Sequence, residues 1–161
     1  MRLGGLPYSR HRRKVLHVPM SKDSRPTTLV RVLLADDHAL YAETLEILLE
    51  LDDRIEVVGR AGSGAEAIEL AVALQPDAIL MDVHMPCVDG IKATRTVKAL
   101  LPRVQVVMLS SSPAVEDVER SRDAGASGYL TKDAAGTAIT AELARVCSST
   151  AGPPSAGLCA A

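Results

Sequence analysis

Aromatic residues are nearly missing from this chain of 161 residues, which has three tyrosines, no phenylalanine and no tryptophan. Its core must therefore be filled by aliphatic side chains, and its surface lacks the platforms on which single-stranded bases stack. Cysteine is scarce as well. Cys87, Cys147 and Cys159 show no CxxC or CxxH spacing, which argues against a zinc site, and an odd, scattered set fits reduced thiols in a cytosolic protein. No apolar run approaches the roughly 18 residues of a membrane span. The N-terminus is basic but has no apolar stretch of the secretory kind. These absences predict a cytoplasmic protein with no membrane partner.

The remaining composition, 47% hydrophobic and 24% charged, is that of a soluble globular domain with one core. The net charge of -2 hides a split. Residues 1–28 carry a balance of +6 and residues 29–161 a balance of -8. The first segment has no sustained apolar period and reads as a disordered basic extension, in which Arg12, Arg13 and Lys14 form a solvated cluster. Translation from Met20 would remove most of it. The acidic remainder is a poor binder of phosphate backbones.

From residue 29 to 146 short apolar runs at 30–34, 55–59, 78–81, 104–109 and 127–130 alternate with helical patterns. The runs are rich in Val, Ile and Leu, as expected of strands buried on both faces. Leu40, Leu45, Leu48 and Leu49 predict the buried stripe of the first helix, and Ala65, Ile68, Ala71 and Val72 that of the second. Pro113 falls at a favoured place near the start of the fourth helix and Gly125 at its end. The fifth helix, about 134–146, has the lowest propensity. Five βα units predict one parallel sheet with helices on both faces. Residues 147–161 are expected to form a flexible tail.

In such a sheet, ligands bind just beyond the carboxyl ends of the strands. Asp36 and Asp37 close the first strand, Asp82 the third, Ser110 the fourth, and Lys132 follows the fifth. Clustered carboxylates repel and need a cation, and a few hard oxygen ligands suit Mg²⁺. With Mg²⁺ and a lysine to hold a phosphoryl group, the central Asp82 can attack phosphorus and form an acyl phosphate.

The segments Leu34-Ala35-Asp36-Asp37-His38, Met81 to Gly90, Leu109-Ser110-Ser111 and Gly128 to Asp133 resemble the receiver domain of two-component response regulators, in wording nearest the NarL/FixJ type. The resemblance implies a flavodoxin-like sheet of order 2-1-3-4-5. It implies a phosphorelay role in which Asp82 accepts phosphate from a sensor histidine kinase or phosphotransfer protein. Asp37, Asp82 and the backbone carbonyl of His84 would bind Mg²⁺, with Asp36 acting through water. Lys132, Ser110 and Ser111 would meet the phosphoryl oxygens, and Ser110 and Tyr129 would form the switch. Such a domain is a signalling module rather than a classical enzyme, and could pair as a homodimer.

NarL/FixJ-type regulators continue into a DNA-binding helix-turn-helix, and only fifteen residues follow Val146 here. The expectation is a receiver without direct DNA binding, or alternatively a truncated transcriptional regulator. A third reading is a small nucleotide-binding enzyme, because Gly62 to Ala67 fits GxGxxA with Asp82 twenty residues after Gly62. A tight turn with close helix packing explains the same glycines. Ser63 reads as an N-cap, His38 as a helix-start residue beside the acids, and Cys87 as a tolerated small residue.

Overall fold

The computed structural model describes residues 29–112, 114–134 and 136–148. The basic extension 1–28, Pro113 and most of the expected tail lie outside the described residues. Five parallel strands form one sheet in the order β2-β1-β3-β4-β5. They are β1 (Val30–Ala35), β2 (Ile55–Ala61), β3 (Ala78–Asp82), β4 (Gln105–Ser110) and β5 (Gly128–Thr131). The helices between and after them are α1 (Ala39–Leu49), α2 (Gly64–Leu74), α3 (Gly90–Leu100), α4 (Val115–Asp123) and α5 (Gly136–Ser148). The predicted strand order and alternation hold. The last helix runs to Ser148, two residues beyond the expected domain edge.

Alternation along the central strands divides the core in two. On one face Leu33, Ile79, Met81, Val106 and Met108 pack with Ala67 and Ala71 of α2 and Ile91, Ala93 and Val97 of α3. On the other, Val32, Leu34, Leu80, Val107 and Leu109 pack with Leu45 and Leu49 of α1 and Ile139, Leu143 and Val146 of α5. Both halves are aliphatic, as the lack of aromatics requires.

Three expectations about burial need correction. Burial on both faces holds for most of β1, β3 and β4, but the edge strands β2 and β5 are largely half-exposed because each has a neighbour on one side only. The buried stripe of α1 is Ala42, Leu45 and Leu49. Leu40 is 78% exposed and Leu48 also faces outward, in line with Ile47 and Leu51. In α2 the buried residues are Gly64, Ala67 and Ala71, with Ile68 half-buried and Ala65 and Val72 exposed.

Local signals at the helix ends place the loops that matter. Asp89 caps α3 by accepting the Lys92 N–H at 2.8 Å. Gly90 follows because a side chain there would collide with the Asp82 carbonyl, while its N–H donates to the Val83 carbonyl at 3.0 Å. The loop after β3 is thereby closed on itself. Gly125, at φ 96°, ends α4 in the left-handed conformation expected of it.

Candidate functional site

The parallel strands deliver their last residues to one edge of the sheet. Asp36 and Asp37 follow Ala35, Asp82 ends β3, Ser110 ends β4, and Lys132 follows Thr131. Side-chain atoms of Asp36, Asp37, His38 and Asp82 lie within 4.8 Å of one another. Asp36 and Asp82 are buried and Asp37 is open to solvent.

Lys132 binds the acids together. Its Nζ donates to Asp82 Oδ2 at 2.7 Å and lies 2.6 Å from Asp36 Oδ2. The second contact is a short ion pair to a buried carboxylate oxygen. The Lys132 N–H donates to the Ser110 carbonyl at 2.8 Å and fixes the root of the side chain. Burial pushes the Asp82 carboxyl above the ordinary carboxylate range. The Lys132 bond and the His84 N–H, 3.2 Å from Asp82 Oδ1, oppose that, and the Asp36 charge adds to it. For Lys132, burial works to lower the pKa, but its contacts with Asp36 and Asp82 outweigh it and the net shift is upward. The ammonium is held charged between two carboxylates.

Three carboxylates against one ammonium leave two negative charges in excess. That excess and the hard oxygen donors suit a divalent cation such as Mg²⁺ with its waters. His38 stands over the same place, its Nδ1 3.0 Å from Asp37, 3.3 Å from Asp36 and 4.0 Å from Asp82. As expected, it sits at the start of α1 beside the acids.

Other predicted residues are near but differently engaged. The Ser110 hydroxyl is fully buried and donates to the Ser112 carbonyl at 2.7 Å rather than to Asp82. The Tyr129 phenol approaches that same carbonyl, at 3.5 Å. Ser111 is exposed in the loop beyond. The His84 ring turns away from the acids, and its Nε2 lies 3.5 Å from Asp117 of α4. Cys87 is exposed with φ 66°, a conformation in which side chains are uncommon.

Sequence reasoning missed Tyr41. Its ring centre is 4.9 Å from the Lys132 ammonium, and its hydroxyl donates to the Lys132 carbonyl at 3.2 Å. The available signal was its rarity, as one of three aromatics, four residues after Asp37.

The glycine motif has a packing role. Ser63 caps α2 by accepting the Glu66 N–H at 3.3 Å, and Glu66 in turn accepts the Gly62 N–H at 2.7 Å. A side chain at Gly64 would strike the Val88 carbonyl. The loop amide that a pyrophosphate would need is occupied by the chain's own carboxylate, and Asp82 faces Lys132 instead of a ribose.

An open parallel α/β sheet with an acidic, lysine-bridged pocket at its carboxyl edge defines the class of protein. The family follows from comparison. The model of the response regulator receiver domain matches residues 32–144, and the chain belongs to that family. The response regulator protein VraR of Staphylococcus aureus is 42% identical over 103 residues, covering 64% of this chain and 49% of VraR. The transcriptional regulatory protein LnrK of Bacillus subtilis is 36% identical over 105 residues, covering 65% of this chain and 48% of LnrK. This chain thus spans about half the length of these curated relatives. Among solved structures, the signal receiver domain of NarL from Mycobacterium tuberculosis superposes with a TM-score of 0.72 at 33% identity. That match covers 74% of this chain and 97% of that one. Among the described residues no helix is long and apolar enough to cross a membrane.

Proposed function

We propose that Asp82 is the phosphoacceptor of a cytoplasmic two-component relay, charged by a histidine kinase or a phosphotransfer protein. The observation that carries this reading is the Lys132 bridge between buried Asp82 and Asp36, in a pocket two negative charges in excess. An Asp82 oxygen attacks phosphorus, the bond from phosphorus to the donor nitrogen breaks, and its electron pair leaves with the imidazole. An acyl phosphate remains on Asp82. Lys132 is the ammonium that shifts from carboxylate to phosphoryl oxygen and neutralises the charge that arrives. Asp37, Asp82 and the His84 carbonyl would hold Mg²⁺, with Asp36 acting through water. When bound, the ion supplies charge neutralisation at the transferring oxygens.

Ser110 and Ser111 receive phosphoryl oxygens in this reading. Ser110 must first give up the Ser112 carbonyl, which the Tyr129 phenol also approaches, so one hydroxyl movement alters the partners of the other. The face formed by α4, β5 and α5 would then carry the signal through a biased two-state equilibrium.

Acetyl phosphate with Mg²⁺ is the direct test. The wild type should gain one phosphoryl group by intact mass and Asp82→Asn none, whereas equal labelling of the two would overturn the assignment. Calorimetry should find Mg²⁺ bound at least about tenfold more weakly by Asp37→Ala, and unchanged affinity would remove Asp37 from the metal site.

A further inference from the structure

In a chain with three aromatic residues, the two that are described both sit at the pocket, on opposite sides of it. Tyr129 faces the Ser110 side. Tyr41, on the first turn of α1, faces Lys132, and the function above gives it no role.

The contacts of Tyr41 converge on a single residue. Its hydroxyl donates to the Lys132 carbonyl and its ring centre lies 4.9 Å from the Lys132 ammonium, inside the range at which an aromatic face attracts a cation. Tyr41 is half-buried against the core half that holds α1 and α5, so the ring is supported from behind. The Lys132 side chain is only 11% exposed. An ammonium has three donors. One is directed at Asp82, the Asp36 charge draws the group from another side, and the ring adds a third attraction. A flexible four-carbon stem ordinarily has many rotamers to lose when it takes one position. A ring against its charged end and a bond to its own carbonyl restrict it before any phosphoryl group arrives.

We propose that Tyr41 is a positioning residue for phosphoryl transfer, and that its ring holds the Lys132 ammonium beside Asp82. The proposal rests on Asp82 being the phosphoacceptor. It makes α1 part of the transfer machinery through a residue that touches neither phosphorus nor metal.

The test measures the second-order rate of labelling by acetyl phosphate at saturating Mg²⁺ in the full chain. Tyr41→Phe keeps the ring and should label within about twofold of wild type. Tyr41→Leu should fall about fivefold, the size expected from a partly desolvated cation–ring contact. Tyr41→Met takes its place should the leucine variant melt below the assay temperature. In a Lys132→Ala background the same Tyr41 substitution should have no further effect, an outcome that a general packing role would not produce. Undiminished labelling of Tyr41→Leu, an equal loss in Tyr41→Phe, or a full fivefold loss persisting without Lys132 would each overturn the proposal. A wild type that takes no label would instead contradict the phosphoacceptor reading, so the two failures are distinguishable.

Discussion

Strands β3 and β5 lie on either side of β4 and end at the same pocket, yet they are held very differently. All five residues of β3 are buried, and all four of β5 are half-exposed. The helices that flank them repeat the contrast. Entry to α3 is fixed by the Asp89 cap and by Gly90 pressed on the Asp82 carbonyl. Entry to α4 has no side-chain cap, and Ser121 is the one buried residue within that helix. Of the two regions, Asp82 therefore stands on the one that costs more to deform. Ser110 and Tyr129 border the one that costs less. In the proposed function, chemistry that needs precise placement and a response that needs movement are served by strands on either side of β4.

The largest effect that could break this comparison is on stability. Gly90→Ala puts a methyl group into the Asp82 carbonyl and should cost about 3 kcal/mol or more. Val115→Ala, at a position 74% exposed on α4, should stay within about 0.5 kcal/mol. Denaturant titration measures both, and similar values would remove the distinction. Ser110→Ala sharpens the separation of chemistry from response. It should still take label from acetyl phosphate within about tenfold of the wild-type rate, while phosphorylation no longer alters the α4 and β5 amides.

The smallest effect concerns Asp82 itself. Burial raises its pKa, so its contribution to stability is fully present when it is protonated, below its unfolded value, and is lost as pH rises through the raised folded value. Above that raised value the metal-free wild type carries the cost of a buried charge. Asp82→Asn should therefore have a higher Tm than wild type in chelator, with the difference narrowing as the pH falls towards the carboxylate range. A lower Tm for the asparagine variant would mean that the Lys132 pairing outweighs burial.

Much of this site is legible in the amino-acid sequence. Acids at the ends of two apolar runs, a serine after a third and a lysine after a fourth become neighbours once parallel order is inferred, because parallel strands bring every carboxyl end to one edge. Side-chain direction was less legible. Leu40, Ile47, Leu48 and Leu51 recur at helical spacing and imitate a core stripe, while the true stripe of α1 contains the less conspicuous Ala42. The Ser110 hydroxyl turns to the Ser112 carbonyl through the shape of a short loop, which no periodicity encodes. Edge strands read as buried because their composition matches that of the inner ones; only their place in the sheet exposes them. Tyr41 was hidden for a related reason, since its partner lies 91 residues away across a strand order that had first to be known.

Amide hydrogen exchange with and without acetyl phosphate and Mg²⁺, on wild type and Asp82→Asn, tests the central claim most directly. The account predicts that phosphorylation of the wild type alters exchange in residues 111–134, leaves the core amides of β1 and β3 unchanged, and has no counterpart in Asp82→Asn. The same change in the asparagine variant, or a change spread evenly through β1 and β3, would contradict it.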